Sequence, residues 1–150
     1  MKSHRIQLFA LVLAVSGTVA ACSAAEIGGD DKDVIRFGVP RSTVIISGRL
    51  SATSMGGGGA TSTVAVGEVV KSPKGSQVPK EIAVFWLSAK DPGWRKFLAR
   101  SITNSFLFFL RPASTNAQTG YRDVTGKVHP FVQATEANVH FLRSQLLEQK

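Results

Sequence analysis

The chain is expected to fold as a mainly β domain: a small five-stranded barrel with a short helix and a C-terminal helix. Three features of the sequence predict this. Short runs rich in valine, isoleucine, threonine and phenylalanine recur between residues 42 and 131, separated by glycine, proline and serine clusters. Glycines also fall inside the first two runs, where they permit the sharp coiling that closes a small barrel. Towards the C-terminus the apolar spacing changes from two residues to the helical three and four. A β-sandwich or an α+β sheet is the alternative arrangement.

The first segment stands apart from the barrel. Lys2, His4 and Arg5 make a basic start, and Ile6 to Val15 is apolar except for Gln7. Ser16-Gly17-Thr18 then loosens the chain before Val19-Ala20-Ala21. The apolar stretch of about ten residues is too short to cross roughly 30 Å of hydrocarbon as a helix. Residues 1–21 therefore read as a cleavable export signal. Val19-Ala20-Ala21-Cys22 resembles the lipobox of bacterial lipoproteins, with Val19 in place of the usual leucine. The resemblance implies that Cys22 becomes the N-terminus and carries acyl chains. It also implies that Ser23 directs the protein to the outer membrane if the cell is Gram-negative. Several chains give a stable anchor, since each buried methylene contributes about 0.8 kcal/mol. An ordinary signal-peptidase cut after Ser23-Ala24-Ala25 would instead remove Cys22 and release the protein.

Residues 22–41 read as a flexible tether, with Gly28-Gly29 and the acidic Asp30, Asp31 and Asp33. The domain proper is expected over 42–150. Ser42 to Leu50 is the first strand, β-branched at Thr43-Val44-Ile45-Ile46, with Val44, Ile46 and Leu50 on one face. Gly56-Gly57-Gly58-Gly59 joins it in a long hairpin to a second, valine-rich strand over Thr63 to Val70. Ser72-Pro73-Lys74-Gly75 is a turn. Ile82 to Leu87 and Ser105 to Leu110 are strands apolar on both faces, hence central. Between them Asp91-Pro92 opens a short helix that places Trp94, Phe97, Leu98 and Ile102 on one side. Gly120 to Val124 and Lys127 to Phe131 form a fifth strand or a hairpin about Thr125-Gly126. Thr135 caps a final helix to about Glu148, with Val139, Leu142 and Leu146 as its buried stripe. This order suits an OB-like barrel.

Composition narrows the function. The 150 residues carry a formal charge of +8, which falls to +6 once Lys2 and Arg5 leave with the signal. That scattered charge keeps a protein soluble and also permits contact with anionic lipid or acidic polymers. Cys22 is the only cysteine, so no internal disulfide can form and the apolar core must hold the fold.

The strand patterns Ser42 to Leu50, Val66 to Lys71 and Phe106 to Leu110 resemble the netrin-module and tissue-inhibitor-of-metalloproteinase group. The resemblance implies an exported OB-fold domain. In the inhibitors of that group a mature N-terminal cysteine approaches the protease zinc, and a cut before Cys22 would place a cysteine there. The chain departs from the group in lacking its stapling disulfides and in placing Cys22 about 20 residues before the first strand.

No hydrolase motif is present, since there is no G-x-S-x-G, H-E-x-x-H or S-x-x-K, and Gly56 to Gly59 lacks the Gly-Lys-Ser/Thr ending of a phosphate loop. His129 and His140 have no neighbouring ligands at metal spacing, so no metal or other cofactor is expected. Glu68 and Glu81 read as strand-face charges. The aromatic residues read as core, except that Trp94 beside Arg95 and Lys96 also suits contact with a membrane surface or a glycan. The expected protein is therefore non-enzymatic and sits on the extracytoplasmic side of the cell envelope. Cys22 is the expected lipid attachment point, and the bilayer is the first partner. A protein or glycan in the envelope is the second; nucleic acid is not expected of an exported chain. A secreted metalloprotease inhibitor and an envelope enzyme are the rival readings, and a soluble periplasmic or secreted form is the rival location.

Overall fold

The structure is a computed structural model that describes residues 30–56, 59–86, 103–114, 119–125 and 132–149. The elements in chain order are α1 (Asp31–Arg41), β1 (Val44–Gly56), β2 (Gly59–Lys71), β3 (Glu81–Trp86), β4 (Phe106–Ser114), β5 (Thr119–Asp123), β6 (Val132–Gln133) and α2 (Glu136–Glu148).

Five strands close into a barrel in the order β1-β2-β3-β5-β4, with β4 pairing back onto β1. All neighbours are antiparallel except β3 and β5, which run parallel. The expected OB-like barrel is the fold observed. The β1–β2 ladder extends from Ile45↔Lys71 to Gly56↔Gly59 and is longer than the β-branched cores alone indicate. Register breaks after Ile45, Ser47 and Leu50 bend β1, so that Val44 to Gly48 can also pair with Phe106 to Leu110 of β4. At Gly48 the backbones approach so closely that a Cβ would lie 2.6 Å from the Ala65 carbonyl oxygen. Only glycine fits there.

Alternation sorts the side chains into two cores. Val44, Ile46, Leu50, Val64, Ile82, Val84, Trp86, Phe106, Phe108 and Leu110 fill the barrel interior. Trp86 and Phe108 meet with ring centroids 6.2 Å apart. The Trp86 indole donates to the hydroxyl of fully buried Ser62 at 2.9 Å, and Ser62 also shares a 2.8 Å hydrogen bond with Thr53. Outside the barrel, Ile45, Leu107 and Phe109 pack against Val34, Ile35 and Val39 of α1 and Leu142 of α2. This second core explains why Phe106 to Leu110 is apolar on both faces. The aromatic residues Trp86, Phe106, Phe108 and Phe109 are all core, as the sequence indicated.

The tether expectation fails for residues 31–41, which are the helix α1. The acidic residues that resembled a linker are its start signal. The Asp30 side chain accepts from the Lys32 amide at 3.1 Å, and Asp31 and Asp33 occupy the first turn, favourable at the positive end of the helix dipole. Val34, Ile35, Gly38 and Val39 are its buried side. Pro40 lies in the last turn, and extended Ser42 ends the helix by donating its amide to the Gly38 carbonyl.

α2 matches expectation closely. Thr135 caps it through the Asn138 amide, Leu142 is fully buried, and Val139 and Leu146 are partly buried. The Asn138 side chain also donates to Asp31 at 2.8 Å, tying the two helix starts together. β5 covers most of Gly120 to Val124, but the next described strand, β6, pairs with β4 rather than with β5. The region of the expected short helix and residues 126–131 lie outside the described residues.

Candidate functional site

Cys22, Trp94, Arg95, Lys96 and His129 lie outside the described residues. His140 is exposed on α2, and no group of three or more His, Cys, Asp or Glu converges among the described residues. Glu68 is an exposed strand-face charge paired with Arg143 at 2.8 Å. Glu81 is also exposed, and its register partner is Ala65, so the two carboxylates do not share a site. Among the described residues no helix is long and apolar enough to cross a membrane.

One open cleft of about 370 Å³ lies where β3 and β5 begin and β4 ends, between Pro79, Glu81, Ile82, Pro112 and Tyr121. Its floor is kept low by Gly120, whose Cβ would come within 2.6 Å of the Ala83 carbonyl oxygen. Glu81, Thr119 and Tyr121 are the residues with polar side chains on its lining. A concave, mostly apolar lining with a few polar groups can hold a small ligand.

The stronger concentration of chemistry is basic, at the C-terminal end of α1. A helix end leaves its last carbonyls without intrahelical donors and carries partial negative charge. Here cationic side chains supply donors. Arg41 donates to the Phe37 carbonyl at 3.0 Å. The Lys71 ammonium reaches from the end of β2 to the carbonyls of Val39 at 3.0 Å and Ser42 at 2.8 Å. The Arg111 Nε donates to the Arg41 carbonyl. Burial pushes the Lys71 ammonium below its ordinary value. Its two carbonyl acceptors favour the protonated form.

Three further features extend the basic surface along α1 and onto β4. The Arg41 guanidinium lies 3.8 Å from the centre of the Phe37 ring, and Phe37 is 39% exposed. Arg36 and Lys32 lie over Phe141 of α2 at 5.2 and 5.8 Å. On β4, Arg111 follows the inward-facing Leu110 and so points outward, directly opposite Arg122 of β5.

Sequence reasoning did not find this group. Arg41, Lys71, Arg111 and Arg122 are far apart in the chain, and each reads alone as a solvated charge. Strand register brings them together. The one local signal was Arg111, a charge ending the apolar run of β4 where the strand leaves the second core. No protein-family model matches this chain, and a search of curated proteins finds no match either.

Proposed function

We propose that the protein is an exported cell-envelope protein, held on the extracytoplasmic face of a bilayer by acyl chains on Cys22, whose barrel binds a partner without catalysis. The observation that carries this reading is Val19-Ala20-Ala21-Cys22 at the end of a short apolar segment with a basic start. Two structural facts support it. Two apolar cores hold the domain without any disulfide, as a chain with one cysteine requires. α1 begins nine residues after Cys22, and at roughly 3.3–3.6 Å per residue the connection reaches about 30 Å at most. An acylated Cys22 would therefore keep the barrel beside the bilayer.

Detergent fractionation of wild type against Cys22→Ala tests the reading. Wild type should partition with membranes, and the variant should appear as soluble protein or unprocessed precursor. An unchanged distribution removes the anchor from the account.

The metalloprotease-inhibitor reading stands second. The closed barrel accords with the fold that its resemblance implies, but α1 places eleven helical residues between Cys22 and β1. Inhibition assays on the mature protein discriminate the two.

A further inference from the structure

We infer that Arg111 and Arg122 form a binding site for a phosphate-class oxyanion on the outer face of the barrel. Residues directly opposite on antiparallel strands hold their Cβ atoms about 4.5–5.5 Å apart, and like charges placed so repel each other. Arg111 and Arg122 stand in that relation. Among the described residues, neither is in an ion pair of the kind that joins Arg36 to Asp33 and Arg143 to Glu68. Asp123, next to Arg122, is buried, and its Oδ2 accepts from both the amide and the hydroxyl of Thr125.

Arg111 is also pre-positioned. The Nε of Arg111 is held by the Arg41 carbonyl, which leaves its two terminal nitrogens free to donate. Arg122 is exposed and has its whole fork available. Register makes the two arginines direct cross-strand neighbours on the outer face, and guanidinium forks offer parallel N–H pairs, the geometry that tetrahedral oxyanions accept. Lys71 covers the Val39 and Ser42 carbonyls, and so offsets the negative helix end that would otherwise oppose an anion here. A doubly charged phosphate would convert the repulsion between the two arginines into two charge-assisted contacts. The same chemistry is offered by a phospholipid headgroup and by free phosphate.

The test is thermal unfolding of the purified protein in inorganic phosphate against chloride at matched ionic strength, for wild type, Arg122→Gln and Arg122→Lys. Wild type should be stabilised saturably by phosphate, as expected for a ligand that binds only the folded state. In chloride, Arg122→Gln should melt higher than wild type, because the repulsion is gone. In phosphate it should lose the protection, with an apparent affinity weaker by about tenfold or more, whereas Arg122→Lys should keep a reduced response. Equal phosphate responses in wild type and Arg122→Gln overturn the site.

Short-chain phosphatidylglycerol, with short-chain phosphatidylcholine as control, separates the sources. Protection by phosphatidylglycerol at lower concentration than by phosphate assigns a headgroup. Protection by inorganic phosphate alone assigns a soluble ligand. None of these readouts depends on acylation of Cys22, so failure of the anchor and failure of this site are told apart.

Discussion

Gly38→Ala tests whether α1 belongs to the folded domain. The buried side of α1 sets Gly38 on the face of the Phe109 ring. A Cβ there would lie 2.6 Å from both the Cγ and Cδ1 atoms and 3.1 Å from Cδ2. Phe109 is fully buried against Ile35, Val39 and Leu142, so the ring has no free direction in which to move. Overpacking of a filled core costs about 1–3 kcal/mol. Alanine would return up to about 1 kcal/mol of helix propensity at this mid-helix site. The net expectation is a loss of about 1–2 kcal/mol, read as a fall of roughly 4–8 °C in the midpoint of thermal unfolding for a domain of this size. Circular dichroism or calorimetry on the variant supplies the number. If residues 31–41 were an unpacked tether, the same substitution would leave stability unchanged or raise it. A midpoint at or above that of wild type therefore refutes the packing of α1 on β4.

Two other substitutions probe the barrel and the helix end. Ser62→Ala removes the acceptor of the Trp86 indole and the partner of Thr53. Removing one side of a buried hydrogen bond costs about 1–3 kcal/mol, and denaturant unfolding should show a loss in that range. Lys71→Met removes the donor to the Val39 and Ser42 carbonyls, and chemical denaturation should show a loss of about 1 kcal/mol at neutral pH. Its pH profile carries a sign. The Lys71 value is lowered from 10.5 by burial, so just below that value the unfolded chain holds more proton than the folded one. This group therefore makes stability rise with pH through that window, and the Lys71→Met profile should rise less steeply there.

The strands were legible because their side chains are β-branched or aromatic and their boundaries are glycine and proline. Phe106 to Leu110 was readable as central from its two apolar faces, although the outer face is covered by helices and not by a second sheet. α1 was hidden by Gly38 and Pro40, which argue against a helix in isolation. Glycine is required there by the Phe109 ring, and the proline sits in the last turn. Asp30, Asp31 and Asp33 fit a linker and a helix start equally well until the buried stripe after them is known. The basic group at the end of α1 could not be read, because it depends on the pairing of Arg111 with Arg122 and the reach of Lys71 across β1. Register of that kind is set by the closed barrel as a whole.

The mass of the intact mature protein tests the central claim most directly. The account predicts a polypeptide that starts at Cys22 and carries the added mass of its acyl chains. An unmodified chain starting at Glu26 or later would contradict it.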